Sequence, residues 1–563
     1  MVFFIFIGRI KTLPMILSRK NTCLIFCISL LLFTSCEKKE IVLSDEDLAA
    51  FSASVQAEDI RHHIAVLAND SLKGRLPGTP EYDIAMAYVA DTYKELGLTP
   101  IGNKEGSTYY QTLVLRNSIV NDAQSFLLLN DKDSLQVGTD YFFLGNSNEI
   151  SNEFSGELVM AGYAIEAPEY DFNDFEHIDV KGKIALVFTG APSSLPASER
   201  AYLGSLATKI QTLNQLGAEG VLFVIPGDSN RFKGVYDRMS QRGINSVLMP
   251  DGKASGMSDF GTHLKFGAFM NEASVSKITG ISDENWKNYK KNATELEQPS
   301  AGIQLSGKVV VKFKEFESAN VLGLLEGGAL KDEYIVHTAH LDHIGIGKPI
   351  NGDSIYNGAH DNASGISAMI EIARLYSKLP SKPKRSVIFA AVTAEEMGLL
   401  GSKYLAVNPP VDQQKIIANV NTDMPTLIAP MLSVEPLGAE QSSIMEVVER
   451  STQQLNLRID PDHAPDQVRF VRSDNLNFVL EGIPALRMKY GLKTESSETG
   501  LDSIIKTFTK QHYHKPSDEL NEMFNFDAAK TYVRLQFMNS YLINIAAERP
   551  SWNEDSFFRK FEK

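Results

Sequence analysis

Cysteine is almost absent from this chain of 563 residues, which contains only Cys23, Cys27 and Cys36, all near the amino terminus. The rest of the chain therefore cannot form a disulfide bond and offers no thiol for covalent catalysis. Positive charge is also in deficit, because the formal net charge is −15 at pH 7. Since non-specific binding to nucleic acid requires a basic surface, the composition predicts no nucleic-acid partner.

Several catalytic signatures are missing as well. The chain has no HExxH zinc motif, no GxSxG nucleophile elbow and no phosphate-binding P-loop. The glycines of GIGKPING, residues 345–352, have the wrong spacing for a dinucleotide fingerprint. These absences disfavour the chemistries that the motifs serve.

The amino terminus predicts export. Two basic residues precede the apolar run CLIFCISLLLFTSC, which ends at Cys36 and is short for a membrane span. Its last residues, FTSC, resemble a bacterial lipobox, and the polar stretch EKKE follows. We expect residues 1–36 to be a signal peptide, Cys36 to be lipidated and residues 37–50 to be a tether. The alternative is an ordinary signal peptide with a chance cysteine.

Lipidation would anchor the protein in a lipid bilayer. The expected location is that of a bacterial lipoprotein, either in the periplasm or at the outer membrane and cell surface. The sequence does not distinguish between these faces.

Apolar runs of strand length alternate with helical patterns after residue 310, as in DEYIVHTAHLD followed by SGISAMIEIARLYSKL. This alternation predicts an α/β protein with a mostly parallel sheet between two layers of helices. Helical periodicity between residues 59 and 98 predicts helices that pack on the same sheet. We therefore expect a discontinuous main domain formed by residues 51–150 and 311–550. A smaller domain is inserted at 151–310, and 551–563 form a tail.

Histidines and acids follow the predicted strands of the main domain. The strand runs end in HLD, EE and NTD, the loop GAHDN follows the first run, and one further histidine lies in YHKPSDE. In a parallel sheet these carboxyl ends lie at one edge, where ligands bind. Each motif alone is common in surface loops and helix caps, but here all of them occur in order. Because clustered carboxylates repel one another, we expect cations between them.

Histidine and carboxylate without thiolate suit zinc, with manganese or cobalt as substitutes. Two metal ions about 3.5–4 Å apart form a recognised hydrolytic arrangement. From count and order we predict that Asp361 bridges two ions. His340 and Asp423 then complete one site, and Glu396 and His514 complete the other.

Two acids remain without a metal. Glu395 is predicted to act as the catalytic base, taking a proton from the attacking water and returning it to the leaving amine. Asp342 is predicted to accept the second N–H of the His340 imidazole and so fix its tautomer. His343 and His360, beside predicted ligands, are secondary candidates for supporting roles.

These stretches, together with LKGRLPGTPEYDIAMAYV, SANVLGLLEG and RSDNLNFVLEGIPAL, resemble the M28 family of zinc metallopeptidases. The resemblance covers residues 60–100 and 318–525. It implies a phosphorylase/hydrolase-like α/β/α fold and two zinc ions held by the five ligands named above. It also places the catalytic glutamate at Glu395 and the orienting aspartate at Asp342, and implies a cis peptide bond after Asp361.

Two features qualify the resemblance. Through VKGKIALV and LNQLGAEGVLFV, the inserted block resembles a PA (protease-associated) domain. Many M28 relatives carry histidine where this chain has Asn475, a position that affects the shape of the pocket but is not a metal ligand.

The expected function is a di-zinc exopeptidase that hydrolyses N-terminal residues from peptides, with a metal-bound hydroxide as nucleophile. A carboxypeptidase of the same family is an alternative, in which Arg472 or Arg487 would hold the substrate carboxylate. A glutaminyl cyclase, which implies one zinc, and a non-catalytic peptidase-like binding protein are further alternatives. The preferred residue, the native metal and the oligomeric state stay open.

Overall fold

The structure is a computed structural model that describes residues 41–282, 284, 298, 302–425, 427–493 and 501–563. Leu43–Lys563 form one compact unit. The predicted signal peptide and Cys36 lie outside the described residues, so export and lipidation stay predictions. In the part of the chain that is described, no helix combines the length and apolar character needed to cross a bilayer.

Local sequence signals explain where several helices begin. The Thr79 hydroxyl accepts a hydrogen bond from the Tyr82 amide and Pro80 occupies the first helical position, which favours helix initiation there. The described helices are α1 (Asp45–Ser52), α2 (Ala57–Leu67), α3 (Pro80–Glu95), α4 (Ala197–Gly204), α5 (Leu206–Gln215), α6 (Ser229–Arg242), α7 (Glu272–Thr279), α8 (Ser364–Ser377), α9 (Leu400–Val407), α10 (Ile444–Gln454), α11 (Asn475–Val479), α12 (Leu501–Gln511) and α13 (Phe526–Ile545).

Strands rich in β-branched and aromatic residues fill the intervals between these helices. The described strands are β1 (Thr99–Pro100), β2 (Tyr110–Val120), β3 (Phe126–Leu129), β4 (Asp133–Ser134), β5 (Tyr141–Leu144), β6 (Ser151–Met160), β7 (Glu166–Ala167), β8 (Phe172–Asn173), β9 (Ile184–Phe188), β10 (Gly220–Ile225), β11 (Ile244–Leu248), β12 (Ala254–Gly256), β13 (Phe266–Asn271), β14 (Gln304–Leu325), β15 (Leu330–His340), β16 (Gly345–Ile350), β17 (Asp353–Tyr356), β18 (Arg385–Val392), β19 (Ile416–Asn421), β20 (Ser433–Leu437), β21 (Arg458–Ile459) and β22 (Ala485–Tyr490).

The central sheet has four parallel strands at its middle, in the order β18–β15–β19–β22. The antiparallel strand β14 flanks β18, and β20 and β21 extend the sheet beyond β22. The register pairs His340 with Val392 and Thr338 with Asn421. The carboxyl ends of β15, β18 and β19 therefore meet at one edge.

Helices cover both faces of this sheet. Along β15, Ile335 packs in the apolar cluster that contains Ile366 of α8, whereas Val336 packs in the cluster that contains Leu405 of α9 and Phe478 of α11. Successive strand residues point to opposite faces, so strands covered on both sides are apolar throughout. The predicted α/β/α sandwich with a mostly parallel central sheet is confirmed.

A second sheet is formed by strands that lie between residues 141 and 271. Strands β6, β9, β10 and β13 are parallel in that order, and β5 joins antiparallel to β13. Strand β5 belongs to this sheet although it precedes residue 151, the predicted start of the insertion. Its apolar run Tyr141–Leu144 forms the edge beside β13. The long strand β14 belongs to both regions, pairing with β6 near its start and with β18 near its end. The resemblance of this region to a PA domain stays a prediction.

Candidate metal centre

The five predicted ligands lie at the edge where the central parallel strands end. His340 is the last residue of β15, and Asp423 lies two residues beyond β19. Glu396 lies four residues beyond β18, and His514 lies in the turn after α12. Asp361 lies in the tight turn Ala359–Ala363 that leads into α8.

The ligand side chains converge to within contact distance of one another. His340 Nε2 lies 3.2 Å from Asp361 Oδ1 and 3.8 Å from Asp423 Oδ1. His514 Nε2 lies 3.2 Å from Asp361 Oδ2 and 3.2 Å from Glu396 Oε1. The two oxygens of Asp361 thus face different histidines, which is the geometry expected of a bridging carboxylate.

A close approach of α8 to β19 brings Asp361 near Asp423. The side-chain amide of Asn362 donates a 3.0 Å hydrogen bond from Nδ2 to the Thr422 carbonyl. A Cβ atom on Gly365 would lie 2.5 Å from that same carbonyl oxygen, so only glycine permits this packing. The peptide bond between Asp361 and Asn362 is cis, as the resemblance implies.

At this edge of the sheet, two neighbouring groups of side chains could each hold a cation. His340, Glu395 and Asp423 form one group, in which one ligand atom of each residue lies within 4.8 Å of the others. The second group consists of His343, Asp361 and Glu396. Imidazole and carboxylate are ligands that zinc binds, and these clusters fit zinc.

The contact made by Asp342 differs from the expected one. Its carboxylate accepts hydrogen bonds from the backbone amides of Glu395 and Glu396, at 3.0 and 3.2 Å. His340 Nδ1 instead lies 3.1 Å from the backbone carbonyl oxygen of Asp342. The His340 imidazole lies against the backbone two residues further on, so its acceptor is the Asp342 carbonyl oxygen. The Asp342 carboxylate is then available to the residues that follow β18.

This arrangement still defines the tautomer of His340. A carbonyl oxygen can only accept a hydrogen bond, so Nδ1 carries a proton and Nε2 is the nitrogen left to bind a metal ion. Meanwhile the Asp342 side chain fixes the turn that carries Glu395 and Glu396. Asp342 therefore positions three site residues, though not by the predicted contact.

The two secondary candidates also lie at the centre. His343 is fully buried, and its Nδ1 lies 2.7 Å from Glu396 Oε1. His360 stacks on Phe524, with the ring centroids 3.7 Å apart, and its Nδ1 lies 3.2 Å from Asp518 Oδ1. His343 thus touches a predicted ligand directly, whereas His360 packs behind Asp361.

Asp518 was not identified from the sequence. Its carboxylate accepts the backbone amides of His360 at 2.9 Å and Asp361 at 3.0 Å, so it fixes the turn that carries the bridging aspartate. It lies four residues after His514 in YHKPSDE, close enough for one loop to supply both groups. The short spacing between His514 and Asp518 is the sequence feature from which Asp518 could have been predicted.

Arg75 is a second residue of the site that was not identified from the sequence. It is almost fully buried and donates to the carbonyl oxygens of Leu341 at 2.8 Å, Asn357 at 2.7 Å and Gly358 at 3.1 Å. Burial lowers the pKa of Arg75 to about 10, and the nearby Asp342 opposes this shift. One guanidinium therefore ties together the two loops that follow β15 and β17.

Burial and neighbouring charges strongly shift the pKa values of the carboxyl groups at the centre. Burial raises the pKa of Glu395 well above its usual value, against the effect of His340 and with reinforcement from Asp423. Burial would also raise the pKa of Asp361, but His340 and His514 hold it well below the usual range. The carboxylates of the site therefore occupy different electrostatic environments.

Burial and neighbouring carboxylates also shift the pKa values of the histidines, with burial lowering them and the carboxylates raising them. Burial alone would lower the pKa of His514, but Asp361 and Glu396 raise it to about 10. The pKa of His340 is likewise raised well above its usual value, mainly by Glu395 against the effect of burial. The site thus attracts positive charge.

Arg487 and Lys489 support Asp423 from the adjacent strand β22. Arg487 Nη2 lies 2.7 Å from Asp423 Oδ2, and Lys489 Nζ donates to the Asp423 carbonyl at 2.6 Å. Asn475 is fully buried and donates a 2.7 Å hydrogen bond to the Phe470 carbonyl, so it supports a loop rather than the metal ligands.

The fold and the site define an α/β/α protein with a histidine–carboxylate centre that fits zinc. Residues 320–538, which include all five predicted ligands, match the family model of Peptidase family M28. This domain is therefore similar to the peptidases of that family.

Related proteins match over shorter or more divergent stretches. Aminopeptidase NAALADL1 of Rattus norvegicus is 35% identical over 106 residues, covering 18% of this chain and 13% of the relative. A probable zinc metalloprotease of Pyrenophora teres f. teres is 34% identical over 104 residues, covering 18% and 22%. The chain thus spans less than a quarter of the length of these two relatives.

Among solved structures, an aminopeptidase from Aneurinibacillus sp. strain AM-1 is similar. It is 19% identical with a TM-score of 0.47, covering 91% of this chain and 97% of the other.

Proposed function

We propose that the protein is a zinc-dependent exopeptidase that removes residues from the amino terminus of peptides. The observation that carries this proposal is the convergence of His340, Asp361, Glu396, Asp423 and His514 on one buried edge. The match to Peptidase family M28 over the same residues supports peptides as the substrate class.

We propose two zinc ions rather than one. The two oxygens of Asp361 face separate histidines, and the two clusters draw on different carboxylates. One divalent cation would leave much of the repulsion among four clustered acids uncompensated. Manganese or cobalt could replace zinc, since the donor set contains no thiolate.

Zinc held by these ligands would polarise the scissile carbonyl and lower the pKa of a bound water. Glu395 lies with His340 and Asp423 but is not needed to complete either predicted ligand set. It is therefore placed to take the proton from the attacking water and return it to the leaving amine. Asp342 holds the backbone of Glu395 and so orients it.

Acidic groups that are not predicted metal ligands favour a substrate amine near the centre. A free amino terminus is cationic at neutral pH, and acids such as Glu395 and Asp474 lie close to the predicted ligands. This complementarity supports removal of N-terminal residues.

A carboxypeptidase remains the second candidate because basic side chains lie nearby. Arg487 is engaged with Asp423 and is almost fully buried, which disfavours it as a direct substrate ligand. Arg472 is exposed, and no described carboxylate lies within ion-pair distance of it. It is therefore the better candidate for holding a substrate carboxylate.

The test combines metal analysis with matched peptides. We expect two zinc ions per chain by elemental analysis, and hydrolysis of a free-amino, C-terminally amidated peptide but not of its N-acetylated counterpart. Cleavage of the acetylated free acid in preference to the amidated peptide would support the carboxypeptidase instead. One zinc with cyclisation of N-terminal glutamine would indicate a glutaminyl cyclase, and absence of bound metal would indicate a binding protein.

A further inference from the structure

A cleft of about 770 Å³ opens beside the metal centre. Its lining includes Met424, which follows Asp423, and Tyr513, which precedes His514. It also includes Arg487, whose guanidinium contacts Asp423. The volume falls within the range of small-molecule sites, so the cleft can receive part of a substrate whose reacting bond lies at the centre.

The cleft is basic although the whole chain is acidic. Its acidic lining residues are Asp466 and Asp502. Six lysines and arginines line it, namely Arg469, Arg472, Arg487, Lys489, Lys506 and Lys510.

Three of these six cations already have carboxylate partners. Both acids of the lining are also paired, so neither neutralises the remaining cations. The pairs are Arg469 with Glu435 and Asp462, Arg487 with Asp423, Lys506 with Asp502, and Arg200 with Asp466.

The other three cations lack such partners among the described residues. Lys489 Nζ donates to the backbone carbonyls of Asp423 and Met424, at 2.6 and 2.8 Å. Arg472 and Lys510 are exposed, and neither forms an ion pair with any described acid. The cleft therefore carries uncompensated positive charge that solvent can reach.

Contacts of Arg487 connect the loop that contains Arg472 to the centre. Arg487, which contacts Asp423, donates to the Arg469 carbonyl at 2.7 Å and to the Arg472 carbonyl at 3.4 Å. One guanidinium thus links a predicted metal ligand to the loop that presents Arg472. This link holds the backbone at Arg472 close to the centre.

We propose that this cleft binds a carboxylate of the substrate, chiefly through Arg472 with assistance from Lys510, and that the enzyme prefers anionic peptides. The acidic centre attracts the amino terminus and the basic cleft repels it, so a bound peptide is oriented by both ends. The carboxylate has two chemical sources, an acidic side chain or the α-carboxylate of a short peptide. The kinetic part of this inference rests on the proposed function.

The kinetic test uses two peptide pairs that distinguish the sources. Leu-Gly-Leu is compared with its C-terminal amide, and Leu-Glu-Leu-amide with Leu-Gln-Leu-amide. We expect the anionic member of at least one pair to have a kcat/KM about tenfold higher, as a charge-assisted hydrogen bond to arginine would give. The pair that shows the preference identifies the source.

Arg472→Gln should reduce that preference to about twofold or less. Lys506→Gln is the matched control, because it removes a positive charge from the same lining but one already paired with Asp502. This control should keep most of the preference.

A binding measurement separates this inference from the proposed activity. Calorimetry with the same peptides on the Glu395→Gln protein should show tighter binding of the anionic member, and Arg472→Gln in that background should remove the difference. If the parent cleaves none of the peptides, the proposed function fails while calorimetry still decides the role of the cleft. Equal affinity within both pairs would overturn the inference, as would a preference that survives Arg472→Gln combined with Lys510→Gln.

Discussion

The two parallel sheets of this protein use their carboxyl ends differently. In the central sheet, His340, Glu395 and Asp423 follow three strands and their side chains turn towards one another. In the second sheet, Asp228 follows β10 and accepts the Arg231 amide, and Asn271 at the end of β13 accepts the Ala273 amide. There the polar residues cap helices rather than form a cluster.

The comparison shows that position at a strand end is not sufficient for a site. None of the histidine–acid clusters found among the described residues draws on the second sheet. A side chain that satisfies a backbone amide at a helix start is no longer available to a ligand. At the edge of the central sheet, Asp342 accepts the Glu395 amide and Asp518 accepts the His360 amide. The side chains of the predicted ligands therefore stay free to face one another.

The largest expected effect comes from replacing Glu395. Glu395→Gln should keep the bound metal but lower kcat by about 10²–10⁴-fold, because amide nitrogen cannot accept and return the proton. Peptide hydrolysis and elemental analysis on the same preparation check both parts. Glu272→Gln, at the corresponding end of the second sheet, should keep activity within about twofold. A Glu395→Gln enzyme nearly as fast as the parent would remove the catalytic role assigned here.

A smaller effect is expected at Asp518. Asp518→Asn places an amide where two backbone N–H groups require acceptors, so the turn carrying Asp361 should loosen. We expect metal affinity to fall by about 10–100-fold, measured by competition with a chromophoric chelator. The exposed neighbour provides the control, because Glu519→Gln should leave affinity unchanged. Equal affinities for the two variants would contradict the positioning role.

The smallest effect concerns a buried charge in the second region. Lys209 Nζ donates to the Tyr163 carbonyl, and burial lowers the pKa of Lys209 to about 7, with Asp174 opposing. In the unfolded chain its pKa is about 10.4, so above pH 7 the unfolded state binds more protons. The free energy of unfolding should therefore rise with pH, by about 2 kcal/mol between pH 7 and 9.

Urea unfolding at several pH values checks this sign. Lys209→Met should lose the rise, and its stability relative to the parent should decrease as pH increases. Lys233→Met is the matched control, since Lys233 is exposed and pairs with Asp237. Identical pH slopes in the parent and Lys209→Met would show that the lysine does not titrate as inferred.

The sequence by itself determined the sheet and predicted the ligand set. Strand-length apolar runs predict parallel strands covered on both faces, and parallel strands bring their carboxyl ends to one edge. Count and order along these strand ends and loops then assign His340, Asp361, Glu396, Asp423 and His514, and the family resemblance implies the same five residues.

Only the tertiary structure decided which groups support and surround those ligands. Arg75 and Asp518 lie far from their partners along the chain, and Asp342 turned to backbone amides that no periodicity reveals. The basic cleft combines residues 424, 463–492 and 502–513, whose charges become one surface after folding. Sequence patterns report each residue's relation to its own helix or strand, whereas hydrogen-bond partners and electrostatic fields depend on distance in space.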